Sequence, residues 1–252
     1  MFAVSDRERV RDYVLHVAEN DERVVAGAVV GSLALREGDR WSDLDLTFGV
    51  ADEFSMFDVL EDWTIQIRKE FDATPLFDLP AGESIYRVFL VPDCLQFDLS
   101  FTPASKFGPT GPKFKLLFGK AIDKPYVQPQ SAEDLFGYAV HHAIRARFCI
   151  ERGKFWQAEY WIHGLRDCAL NIACRKRNLP ANNGRGYDQL PDEARDLFDN
   201  GLVMSIERDE LLRALKVNVN GLLRETDEVK ETARKVEPQL QELTMEWRKP
   251  IT

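Results

Sequence analysis

A chain of 252 residues with 44% hydrophobic content can bury a sizeable core and suits one large or two modest domains. Its formal net charge of -9 argues against a protein built to hold a nucleic-acid backbone, because neutralising phosphates takes clustered Lys and Arg, and it favours cationic small molecules instead. The four cysteines, Cys94, Cys149, Cys168 and Cys174, form no Cys-x-x-Cys pair and read as buried thiols; with no leader-like or bilayer-length apolar segment, the expectation is a cytoplasmic protein with no membrane partner.

In chain order, Ser5 and Glu8 fit a capping box, and Val10, Tyr13, Val14 and Val17 recur at helical spacing, predicting a helix over 6–19. The run Val24 to Val30 is short and β-branched and predicts a strand buried on both faces. It delivers the chain to Gly31 and Ser32. Without a Cβ, Gly31 lets the backbone approach a ligand, and Ser32 with the following amides can donate to phosphate oxygens at the start of a short helix. The strand after it alternates: Leu44, Leu46 and Phe48 point one way, while Asp43, Asp45 and Thr47 point the other. Carboxylates two residues apart on a strand are roughly 6 to 7 Å apart in rise and can converge on one divalent cation.

Phe54, Phe57, Leu60, Trp63, Thr64 and Ile67 predict the buried stripe of a second helix ending near Phe71. Three strands follow, over 74–79, 86–91 and 95–101, the last two joined by a turn at Pro92-Asp93. In the third of these, Leu95, Phe97, Leu99 and Phe101 share one face, and Gln96, Asp98 and Ser100 the other, so a third carboxylate points away from the core. A further strand is expected over 114–122, with Lys113, Lys115 and Lys120 near the acidic site as phosphate contacts. Pro125 to Pro129 reads as a linker, dividing the chain into 1–126 and 127–252.

The second half predicts helices over 131–152, 154–178, 192–200, 207–224 and 228–248, packed as a bundle. In the second of these, Phe155, Ala158, Ile162, Leu165, Ala169 and Ile172 form the core stripe. A parallel row, Trp156, Glu159, His163 and Arg166, reads either as a solvated face with intrahelical pairing or as the lining of a cleft. His141 and His142 are adjacent and do not share a helical face, which disfavours a metal role.

Alone, Asp-x-Asp on a strand is a solvated edge and Gly-Ser is a turn. Together, Gly31-Ser32 after an apolar strand, Ser42-Asp43-Leu44-Asp45-Leu46, and Asp98 within Gln96-Phe97-Asp98 resemble the nucleotidyltransferase fold of the DNA polymerase β superfamily, particularly its aminoglycoside- and lincosamide-modifying adenylyltransferases. The resemblance implies an α+β catalytic domain with a mixed sheet, followed by a helical substrate-binding bundle. It implies Asp43, Asp45 and Asp98 as ligands of Mg²⁺, two ions in the usual arrangement. It implies Gly31, Ser32, Arg40 and Ser42 around ATP or another nucleoside triphosphate. AMP would pass to a hydroxyl of a small molecule held between the domains, with Asp98 or Glu159 taking the proton and pyrophosphate leaving. Where members often carry a basic residue after the serine, this chain has Leu33, which leaves the phosphates to Arg36, Arg40 or a later lysine. Nucleic acid is not expected as a partner, and a homodimer stays an option. The rival reading is a regulatory or toxin-antitoxin-type nucleotidyltransferase module that binds or AMP-tags a protein.

Overall fold

The computed structural model describes residues 1–35 and 37–245. The chain divides into two compact units, Met1–Val127 and Gln128–Thr252. The first contains α1 (Val4–Asn20), β1 (Val24–Val30), a 3₁₀ turn (Gly31–Leu35), β2 (Leu44–Val50), α2 (Met56–Phe71), β3 (Thr74–Ala81), β4 (Ser84–Val91), β5 (Leu95–Pro103) and β6 (Phe114–Phe118). Its six strands make one mixed sheet in the order β3-β4-β5-β2-β1-β6, in which β2 and β5 run parallel and every other pair antiparallel. The α+β expectation holds.

Alternation along β2 and β5 buries Leu44, Leu46, Phe48, Phe97, Leu99 and Phe101 on one face, against α1 and α2. Trp63 of α2 is the centre of this core, fully buried and edge-on to Phe48 and Phe101 at 5.1 Å each. Its indole N–H is not stranded, because it donates to Asp21 at 2.8 Å. On the other face of β1, Ala26 and Ala28 pack on Phe107, so β1 is covered on both sides apart from Val25, which is 44% exposed.

Several boundaries differ from expectation for local reasons. The α1 cap lies two residues earlier than Ser5: Asp6 accepts from the Ala3 amide at 2.8 Å, and Ser5 sits inside the helix. The α2 stripe begins at Val59, whereas Phe54 precedes the Ser55 N-cap and Phe57 stands exposed in the first turn. The strand expected over 114–122 stops at Phe118, because Gly119 takes φ +77° and a Cβ there would collide with the Val25 carbonyl. Cys94 is exposed, not buried, because it lies in the β4–β5 turn with φ +67°.

The second unit contains α3 (Ala132–Glu151), α4 (Phe155–Lys176), α5 (Asp192–Asp199), α6 (Arg208–Arg224) and α7 (Lys230–Leu243). Ser131 caps α3 by accepting from the Asp134 amide, and Gly153 at φ +68° turns the chain into α4. Ala139, Ala143 and Ala146 let α4 and α6 approach α3 closely around Ile162, Leu165, Ala169 and Leu215. The α4 core stripe is as predicted. At the far end of α7, the fully buried Arg147 of α3 donates to the carbonyls of Leu243 and Met245 at 3.0 and 2.8 Å and pairs with Glu151 at 3.0 Å. α7 ends at Leu243 with Thr244 as its cap, short of the expected Arg248; residues 246–248 fall outside the described residues. No described helix is long and apolar enough to cross a membrane.

Candidate metal and nucleotide site

The site begins with a backbone requirement. Gly31 leaves β1 with φ +71°, a conformation that disfavours any side chain, and a Cβ built there would land on the Asp45 carboxylate. Its amide donates to the Lys113 carbonyl at 3.2 Å, which ties the turn to the start of β6. Gly31 thus brings the 3₁₀ turn with Ser32 directly against the acidic strand.

Asp45 of β2 and Asp98 of β5 are register partners across the parallel pair, so their side chains leave neighbouring backbones on the same face. Asp43 sits one residue before β2. One carboxylate oxygen from each of the three lies within 4.8 Å of the other two, and all three residues are half-buried. Burial raises the pKa of Asp98, the nearby Asp43 charge raises it further, and a 3.0 Å hydrogen bond from the Gln96 amide opposes both. Three oxygen donors held this close are the donor set that hard divalent cations such as Mg²⁺ prefer, and the residues present fit that ion. Among the described residues no other group of three potential ligands converges; His141 and His142 instead pack against Trp161, His141 edge-on and His142 tilted.

The approach to Asp43 is held by residues with other duties than those expected. The Ser42 hydroxyl accepts from the Asp39 amide at 2.9 Å and donates to the Asp39 carboxylate at 3.1 Å, so it closes its own loop. The Trp41 amide and then the Ser42 hydroxyl hold the Asp39 carboxyl below its ordinary pKa. Arg7, a buried cation on α1, donates to the Asp39 and Ser42 carbonyls at 2.8 and 2.6 Å and pins this loop from below. Arg40 lies exposed with its guanidinium 4.3 Å from the Trp41 ring centre, not among the carboxylates. Arg36 lies outside the described residues.

The lysines separate. Lys113 pairs with Glu37 at 2.9 Å beside the Gly31 turn. Lys115, opposite Val29, faces the α1 side of the sheet and lines a hollow of about 340 Å³ with Arg7, Arg11 and Leu33. Lys120 is exposed past the end of β6. Glu159 is half-buried on α4 in the second unit, where its charge acts on Arg166; that guanidinium bonds His163 at 2.9 Å, and burial lowers its pKa. Within its own unit the row thus shows the intrahelical pairing, with Trp156 left 77% exposed. Sequence reasoning passed over Arg7, whose signal was a lone arginine in phase with Val10 and Val14, and over Phe77 and Leu79, which alternate with Asp78 on β3.

No family model matches the chain, and no curated protein matches it. Among solved structures it is similar to the crystal structure of an aminoglycoside 6-adenyltransferase from Bacillus subtilis, at 14% identity and a TM-score of 0.41, covering 94% of this chain and 98% of that one. At that degree of likeness, the functional reading rests on the geometry of the site itself.

Proposed function

We propose that this protein is a metal-dependent nucleotidyltransferase that moves AMP from ATP, or another nucleoside monophosphate from its triphosphate, to a hydroxyl of a small molecule. The observation that carries the reading is the convergence of Asp43, Asp45 and Asp98 within 4.8 Å, against a turn that only Gly31 can make. Bound there, Mg²⁺ would neutralise phosphate charge and polarise the acceptor hydroxyl. Ser32 offers its amide and hydroxyl to the phosphates, while Gly31, whose own amide is taken by the Lys113 carbonyl, lets the backbone come close to them. Asp43 and Asp45 would hold the ion on the phosphate side of the site. The acceptor oxygen forms its bond to the α-phosphorus as the α,β-bridging P–O bond breaks, and that electron pair leaves with pyrophosphate. Asp98, the carboxylate of the cluster that lies on β5, takes the hydroxyl proton. Glu159 is the second candidate base. Ser42 and Arg40 act on the loop ahead of Asp43, Ser42 as its clasp.

The reading is tested by pyrophosphate release with Mg²⁺, each of four nucleoside triphosphates and a panel of hydroxylated acceptors including aminoglycosides and lincosamides, with product masses measured together. A mass gain of one nucleotide is expected, reduced about a thousandfold in Asp45→Asn with the fold intact. An Asp45→Asn variant that turns over like the parent would defeat it. Transfer to a protein in place of any small acceptor would support the regulatory reading.

A further inference from the structure

The sheet face that carries the aspartates does not end at β5. Register partners run Asp45, Asp98, Val88 and Phe77 across β2, β5, β4 and β3, and the next row on the same face is Thr47, Ser100, Tyr86 and Leu79. Leu90, partner of Gln96, belongs to the row on the other side. Partners on adjacent strands share a face, so the surface passes from carboxylate to apolar within two strand spacings, roughly 10 Å. Phe77, Leu79 and Leu90 are 51%, 52% and 42% exposed, while Val88 between them is covered.

This exposure is unusual in kind. Edge strands ordinarily present charge outward, and a single exposed leucine needs no explanation, but a contiguous apolar shelf abutting an acidic site does. The charge of β3, Asp78, is turned to the opposite face, where Arg87 grips it with two bonds of 2.7 Å while also holding Glu61 at 2.6 Å and Thr64 at 2.9 Å on α2. That grip sets the register of the edge strand, because a slip of one residue would turn Phe77 and Leu79 toward α2.

The order of the sheet assigns the shelf an occupant. Gly31 and Ser32 follow β1, on the side of β2 away from β5. In an in-line displacement the entering oxygen and the departing pyrophosphate lie on opposite sides of the phosphorus. With the phosphates toward Gly31, the acceptor comes from the β5 side and lies over β4 and β3. The geometry points to Leu90, Phe77 and Leu79 as the acceptor's seat, and so to an acceptor whose reacting hydroxyl is borne on an apolar or aromatic body. This inference rests on the transferase reading above and narrows its substrate class.

Methyl-labelled full-length protein with Mg²⁺ and α,β-methylene-ATP is titrated with phenyl β-D-glucoside and, separately, methyl β-D-glucoside, which share every sugar hydroxyl and differ in the apolar group. The phenyl compound is expected to shift the Leu79 and Leu90 methyl signals and to bind about tenfold more tightly than the methyl one. Phe77→Ser and Leu79→Ser, each at an exposed position, should erase that preference while leaving the affinity for the nucleotide analogue within about twofold. Equal affinities for the two glucosides, shifts confined to other methyls, or a preference that survives both substitutions would overturn the shelf. So would a dimer in sedimentation that dissociates in these variants, since a second copy would then be the occupant. Failure of the unaltered protein to bind the nucleotide analogue would instead overturn the transferase reading, whatever the glucosides do.

Discussion

Gly31 shows how much chemistry one missing methyl can govern. Any side chain there would meet a strained φ and the carboxylate of Asp45 together. Gly31→Ala is therefore expected to cost about 1–2 kcal/mol in urea unfolding and to lower nucleotidyl transfer by about a hundredfold, because the shifted turn misplaces the phosphates. Asp98 leads to the opposite kind of result. Its pKa is raised by burial and by Asp43, so the folded chain binds its proton more tightly than the unfolded chain does; the stability this confers is present at acid pH and lost as pH rises through the raised pKa. Asp98→Asn should raise the melting temperature of the metal-free protein at pH 7 by a few degrees, yet abolish both stabilisation by Mg²⁺ and turnover. A metal-free variant melting below its parent would contradict this account. These two residues were readable in sequence from alternation and spacing. The Asp39–Ser42 clasp was not, and Arg7 showed only as an arginine in phase with Val10 and Val14, since its two carbonyl partners lie far along the chain.

Among elements, α7 depends on a neighbour for its end. Its last carbonyls are met by Arg147, a guanidinium buried within α3 and deprived of water, with a pKa lowered by that burial. Arg147→Met should lower stability by about 3 kcal/mol, read as a shifted denaturation midpoint with unchanged slope, since it strands those carbonyls and leaves Glu151 to Arg208 alone. The helices themselves were legible because their signals are local: Ser131 and Asp134 at the start of α3, Gly153 after it, and a three-four stripe through α4. What failed was equally local in appearance but decided elsewhere. Phe57 has the right spacing for the α2 stripe but stands exposed in the first turn, and Ser5 looks like a cap until Phe2 is seen buried ahead of it. The pairing of β2 with β5 was legible only as a face of carboxylates; its parallel register joins segments separated by α2 and two strands, and no local pattern encodes that.

At the scale of the whole molecule, each unit has its own core, one centred on Trp63 and the other on the alanine-lined face of α3. Between Phe118 and Ala132 the chain forms neither helix nor strand and is largely exposed. Brief digestion with chymotrypsin should therefore cut near Tyr126 and leave two fragments of similar mass, whereas cleavage first inside α3 or β5 would contradict the division into units. The change of texture from alternating strands to helical stripes was plain in the sequence. The parallel β2–β5 contact also has a consequence in time. A hairpin such as β4–β5 can close early from neighbouring residues, but Asp45 and Asp98 meet only after a crossover through α2, β3 and β4 has been paid in loop entropy. On the transferase reading, the capacity to bind a divalent ion should thus arrive late in refolding, after the helices and hairpins are in place.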